Sequence, residues 1–232
     1  MLDVAIPLEQ TTDVIVTPSI VECGEKIVSI SHLSEKIKVY PYYYHHGYEG
    51  ALPDCFLREG AAALLLKAAE QLPAGYSFVV LDGWRSFKLQ TSIYERFKQE
   101  LMKKGWTEGI ELEEELTKFV ALPSEDPMRP SPHLTGGAVD LTISGPDGWI
   151  EMGTSFDDFT SKAMTRFYED DADLDEQGEA IRKNRRWLYH LLTGVGFTNY
   201  HKEWWHFDYG NPPWAKKKQQ TAIYQGIIAL SA

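Results

Sequence analysis

The chain has 232 residues, 43% of them hydrophobic and 25% charged, with a formal charge of -11 at pH 7. That composition fits a globular protein long enough to bury its own core. The acidic balance argues against nucleic acid and against anionic membrane surfaces, both of which require a basic face.

The N-terminal stretch MLDVAIPLEQTTDVIV is acidic and lacks the basic-then-apolar order of a signal peptide. No run of about 18 apolar residues is present. Cys23 and Cys55 form no close pair and no disulfide framework. These features together predict a cytoplasmic protein that spans no membrane. Nothing in the sequence fixes an oligomeric state.

Residues 56–72, FLREGAAALLLKAAEQL, are rich in Ala and Leu and predict a buried helix closed by Pro73 and Gly75. YSFVVLD (76–82) reads as an apolar strand. Helical spacing returns over 87–105, ending at Gly105, and LEEELTKFV (112–120) predicts a shorter helix. The proline-rich stretch 121–132 must be a loop. AVDLTIS (138–144) alternates, with Val139, Leu141 and Ile143 on one face and Asp140, Thr142 and Ser144 on the other. GPDG is turn chemistry, after which WIEM (149–152) can return as a hairpin strand. A helix over 179–196 and a strand over 203–210 complete the reading. Helices and strands mix without βαβ regularity, which predicts an α+β domain over 1–232: a small, mainly antiparallel sheet with helices packed on it.

Two segments carry the chemistry. SPHLTGGAVDL (131–141) offers His133 and Asp140, and EWWHF (203–207) offers Glu203 three positions before His206. If the segments meet, two imidazoles and one carboxylate supply the three protein ligands of a catalytic zinc, leaving a position for water. Positions i and i+3 of a strand point to opposite faces. Glu203 can therefore reach such a metal only from a bend before the strand, and Tyr200–Lys202 is the place for one. A carboxylate there could take a proton from metal-activated water. Taken singly, His133 also reads as a plain loop residue, His206 as a packed strand residue and Arg85 of LDGWRSF as a surface arginine.

Other signals carry less. DADLDEQ (171–177) suggests a calcium loop, but Glu176 and Arg182 occupy the positions that need glycine and glutamate, so calcium is rejected and EDDADLDE (169–176) reads as a solvated acidic loop. YYYHHGY (42–48) reads as packed tyrosines, with His45 and His46 too close in sequence to share a metal. The run Lys216–Lys218 is too short to bind nucleic acid against this net charge. No G-x-S-x-G is present to support a serine hydrolase.

SPHLTGGAVDL resembles the S-x-H-x-x-G-x-A-x-D motif of the D-alanyl-D-alanine dipeptidases, zinc peptidases related to the vancomycin-resistance dipeptidase. EWWHFDYG is similar to that family's E-x-W-H element, VVLDGWRSF to its D-G-[YW]-R-P segment, and EMGTSFDDF (151–159) to its M-G-x-x-F-D segment. The resemblance spans about residues 36–225. It implies the fold shared by D,D-peptidases and the hedgehog signalling domain. It also implies one Zn2+ on His133, Asp140 and His206, with Glu203 as general base and Arg85 as oxyanion stabiliser. Asp157 would pair with the substrate's amino group, and Ser131 would lie near the substrate. Ser86 departs from the family's usual proline. The implied reaction is hydrolysis of D-Ala-D-Ala, a small-molecule dipeptide. A murein carboxypeptidase or endopeptidase on the same fold and a zinc-stabilised binding module without turnover are the rival readings.

Overall fold

The computed structural model describes residues 2–9 and 18–230. Its strands are β1 (Ile27–Ser29), β2 (Ile37–Val39), β3 (Phe56–Arg58), β4 (Ser77–Asp82), β5 (Ala138–Gly145), β6 (Gly148–Trp149), β7 (Thr198–Asn199) and β8 (His206–Asp208). The α-helices are α1 (Tyr42–His45), α2 (Glu59–Glu70), α3 (Phe87–Lys103), α4 (Ile110–Thr117), α5 (Glu176–Val195) and α6 (Pro212–Lys218). The main sheet runs β2-β4-β5-β8-β7, with β6 folded back on the end of β5, and β1 pairs separately with β3. Among these strands every pairing is antiparallel except β2 with β4. The protein is thus α+β, with a small and mainly antiparallel sheet. Among the described residues no helix is long and apolar enough to cross a membrane.

Register explains why one face of the sheet is greasy and the other is chemical. Phe78 pairs with Ile143, Val80 with Leu141 and Val139 with Phe207, so these side chains share one face. All six are buried in the main core, together with Ala61, Leu65 and Ala68 of α2 and Leu188, Leu191 and Leu192 of α5. The opposite face of β5 carries Asp140, Thr142 and Ser144. They are buried as well, so the alternation in the sequence separates two interiors rather than core from solvent.

Several expectations change at element ends. Residues 56–58 are a strand, because Phe56, Leu57 and Arg58 pair with Ser29, Val28 and Ile27 and the helix begins only at Glu59. A distant partner outweighs local propensity there. The return strand after the GPDG turn is limited to Gly148 and Trp149. The last strand is only His206–Asp208. Glu203 and the two tryptophans form a turn ahead of it, in which Glu203 N–H donates to Tyr200 O at 3.0 Å. The helix expected from 179 starts at Glu176, capped by the Asp175 side chain, which accepts from Gly178 N–H.

The rest of the acidic stretch is largely exposed, apart from Glu169, whose carboxylate grips Arg186 at 2.6 Å and accepts from Ile6 N–H. Lys216–Lys218 form the last turn of α6. Cys23 is exposed and Cys55 buried, and neither is in a disulfide.

Candidate active site

Three neighbouring strands bring the chemistry together. Asp140 of β5 lies directly across from His206 of β8, and Asp82 of β4 lies across from Asp140 on the other side. The second pairing needs a bulge between Val80 and Asp82. Without that extra residue Leu81 would face Asp140, and Asp82 would point into the core.

His133 arrives from outside the sheet on a short 3-10 turn, His133–Thr135, closed by Gly136 at φ 72. Gly137 follows, and a Cβ at that position would run into the Tyr209 carbonyl oxygen. Gly137→Ala is therefore expected to cost about 1–3 kcal/mol of stability as an overpacked site. Chemical denaturation would show it, and an unchanged midpoint would mean that the turn tolerates a side chain.

His133, Asp140 and His206 are all buried, and one ligating atom from each lies within 4.8 Å of the others. The ring hydrogen bonds define which atoms these are. His133 Nδ1 sits 2.7 Å from Gly83 O, so it carries the proton and Nε2 is bare. His206 Nε2 sits 3.1 Å from Asp208 Oδ1, so Nδ1 is the free nitrogen. Asp208 is itself held by Asn211 Nδ2 at 2.6 Å. The two free nitrogens face each other at 3.2 Å, with Asp140 Oδ1 2.9 Å from His206 Nδ1.

Lone pairs and a carboxylate converging in this way fit a divalent metal ion. Without a cation, a proton takes its place. Burial would lower the His206 pKa, but Asp208 and Asp140 outweigh burial and hold it well above the usual value. Burial alone would raise Asp140, yet His133 and His206 hold it below the usual carboxylate range.

Glu203 lies just before β8, in the bend that the i, i+3 argument requires. Its Oε2 is 3.9 Å from His206 Nδ1. Burial, reinforced by Asp140 and Asp157, raises its pKa to about 8. Arg85 is buried rather than on the surface. Its Nη2 is 2.7 Å from Asp82 Oδ2, its Nη1 donates to Gln90 Oε1 at 2.9 Å, and Asp140 Oδ2 lies 3.6 Å away. Ser86, in the place of the family's proline, caps α3 by accepting from Leu89 N–H at 3.1 Å, so the turn carrying Arg85 stays anchored.

Asp157 accepts from Tyr43 Oη at 3.1 Å, and its backbone is in the left-handed region at φ 64. Burial, with help from Asp140 and Asp82, raises its pKa to about 7. Ser131 is buried beside the metal-site turn but is not among the residues lining the cavity.

The cavity they border has a volume of about 250 Å³. Its polar end holds Arg85, His133, Asp140, Asp157, Glu203 and His206, and its apolar walls include Ile93, Phe119, Val120 and Phe159. Three contributors escaped the sequence reading. Tyr43 is indistinguishable there from its tyrosine neighbours, yet it alone of Tyr42, Tyr43 and Tyr44 is buried and bonded to Asp157. His45 and His46 instead stack on different tyrosines, Tyr40 and Tyr42. Gln90 carries no signal in a helix pattern. Asp208 had one, since it sits two residues after His206 on the same strand face.

The chain matches the peptidase M15 family, described as D-ala-D-ala dipeptidase, over residues 46–224. A D-alanyl-D-alanine dipeptidase of Synechocystis is 26% identical over 86% of this chain and 87% of its own length. One from Enterococcus faecalis is 29% identical over 66% of this chain and 73% of its own. Among solved structures, that of VanYB in complex with D-alanine-D-alanine is 19% identical, covers 82% of this chain and 89% of that one, and superposes with a TM-score of 0.44. The family match spans most of the chain and includes each of the four motif segments, so the chain belongs to the D-Ala-D-Ala dipeptidase family and is a metallopeptidase.

Proposed function

We propose that this protein is a zinc-dependent dipeptidase that hydrolyses free D-Ala-D-Ala, with one zinc held by His133, Asp140 and His206. The observation that carries the reading is the pair of carboxylates, Glu203 and Asp157, that share one cavity with the three-donor cluster. Asp82 is neutralised by Arg85. Asp140 only shares that arginine, at 3.6 Å, and Asp157 and Glu203 have no lysine or arginine in an ion pair among the described residues, an excess of carboxylate that suits a divalent metal and a substrate ammonium.

A bound zinc would lower the pKa of water and polarise the scissile carbonyl. Glu203 accepts the proton of the attacking water and returns it to the leaving amine. Arg85, pinned by Asp82 and Gln90, presents its remaining N–H edge to the developing oxyanion. Its charge is secure: burial would lower its pKa, but Asp82, Tyr43 and Asp140 outweigh that and raise it above the ordinary value. Asp157, steadied by Tyr43, accepts the substrate's free ammonium. Ser131, whose carbonyl accepts from Leu134 N–H in the turn that carries His133, is placed by the family motif near the substrate.

The test is substrate length. A buried carboxylate with a charged hydrogen-bond partner contributes about 1.5–3 kcal/mol, a preference of roughly ten- to hundredfold for a free amino end. D-Ala-D-Ala should therefore be cleaved well, its N-acetylated form poorly, and neither in the presence of chelator. Asp157→Asn should erode the preference mainly by slowing the free dipeptide. The carboxylate accepts the ammonium only when ionised, and its pKa is about 7 in the metal-free protein, so kcat/KM should fall on the acid side at or below that value, and the asparagine variant should lose this limb while keeping the one set by Glu203. Equal rates on the acetylated compound or a stem pentapeptide would replace this reading with a murein carboxypeptidase. Binding without turnover would leave a zinc-stabilised binding module.

A further inference from the structure

We propose that Arg185 is a positioning residue for amino-end recognition: from α5 it fixes the loop that carries Asp157. The inference rests on the dipeptidase reading above and extends it to a residue far outside the motifs. Between Met152 and Met164 the chain has no regular element except the 3-10 turn Ser161–Ala163. Yet this loop holds Asp157 at φ 64, in a conformation that side chains other than glycine rarely adopt. Such a backbone persists only where the surroundings over-determine it.

Arg185 is what gathers this loop. It is 2% exposed, and its three hydrogen bonds all go to backbone carbonyls rather than to a carboxylate. Nε donates to Met152 O at 2.8 Å, Nη1 to Met164 O at 2.7 Å and Nη2 to Lys162 O at 2.8 Å. One planar fork thus joins the start of the loop to its end, with Asp157 between. The guanidinium also sits 4.8 Å from the ring centre of Tyr168, whose hydroxyl packs where a Cβ of Gly153 would be.

A buried cation with no acidic partner is unfavourable, and burial lowers its pKa to about 10, which still leaves it charged at neutral pH. Its position is explained by the carbonyls that it holds. Trp204, next to Glu203, ties the same loop from the other side: its Nε1 donates to Thr154 Oγ1 at 2.8 Å and its N–H to Ala163 O at 3.0 Å. Lysine cannot reproduce the fork, since its single ammonium cannot reach three carbonyls in one plane. Methionine removes the donor of all three: Met152 O and Lys162 O lose their partner, and Met164 O keeps only Phe167 N–H at 2.9 Å.

The test compares D-Ala-D-Ala with its N-acetylated form on zinc-loaded wild type, Arg185→Lys, Arg185→Met, Asp157→Asn and the Asp157→Asn/Arg185→Met double variant. Arg185→Met should raise KM for the free dipeptide about tenfold or more, the equivalent of one charge-assisted hydrogen bond, while kcat changes little. The acetylated substrate should be nearly unaffected, so the preference for a free amino end collapses. Arg185→Lys should recover part of it. In the Asp157→Asn background the second substitution should change the preference hardly at all, because the two act through one contact. Zinc content should stay at the wild-type level throughout.

A role in stability alone would lower the active fraction and slow both substrates equally. An unchanged preference in Arg185→Met, or in Arg185→Lys if the methionine variant does not fold, overturns the proposal. The wild-type preference tests the dipeptidase reading separately. If it is absent, that reading fails before any variant is compared, and the role given to Arg185 falls with it.

Discussion

Glu203→Ala is expected to lower turnover of D-Ala-D-Ala by about 10² to 10⁴, the usual worth of a general base, while metal content stays at the wild-type level. The carboxylate sits at the head of β8, beside the donor cluster but outside it, with Oε2 3.9 Å from His206 Nδ1. Its loss should leave the three ligand side chains in place. Glu203→Gln should be nearly as slow, because the amide keeps the shape and cannot accept the proton.

The pH dependence has a defined sign. A base works only when ionised, so turnover should rise with pH through the carboxyl's pKa. That value is about 8 in the metal-free protein, chiefly from burial. A cation at the cluster favours the ionised form, so the limb should lie below that value in the zinc enzyme. Steady-state rates across pH, with metal analysis of each preparation, check both points. Near-normal turnover in the alanine variant would move the base elsewhere.

The second large effect concerns the metal. Wild-type protein should purify with about one zinc per chain, as the three-ligand rule implies, and chelation should abolish turnover. His206→Ala should lose most of the metal and essentially all activity. His206 Nδ1 is the atom closest to both other donors, 3.2 Å from His133 Nε2 and 2.9 Å from Asp140 Oδ1. Removing it leaves two ligands and a gap.

Metal withdrawal should also lower thermal stability. A ligand bound only by the folded state stabilises it by about 4 kcal/mol at a thousand times its Kd. Undiminished zinc in His206→Ala, by elemental analysis, would rule out this site. Asp208→Asn should fall between the two: it keeps all three ligands but weakens the hydrogen bond that fixes the His206 ring. Loss of a partner that orients a ligating ring typically lowers metal affinity 10- to 100-fold.

Much was legible in the sequence because it is local. The strand at Ser77–Asp82 announces itself as a short apolar run, and the helix at Phe87–Lys103 and the strand at Ala138–Gly145 through periods of 3.6 and two residues. The three clustered donor residues were legible for a different reason. A histidine, two glycines and an aspartate on a polar strand face, followed by a distant E-x-x-H, match a family motif whose spacing is specific. Even the bend before β8 followed from strand geometry, since Glu203 could not share a face with His206 in an unbroken strand.

Tertiary structure decided the rest, because those features depend on partners far away in the chain. Whether Phe56–Arg58 continues a helix or pairs as a strand depends on β1, which no local pattern reveals. Arg85 reads as a surface residue until Asp82, Gln90 and Tyr43 are placed around it. Asp82 faces the site only because a bulge shifts its register against β5. Arg185 reads as one more charge on an amphipathic helix, and its three carbonyl partners appear only when the loop lies over α5. The sequence by itself determined the residue types and the faces on which they lie, since side-chain chemistry and backbone period are written along the chain. Which faces meet was decided by the folded structure alone, since register, bulges and buried charges are fixed by contacts between segments that the chain keeps far apart.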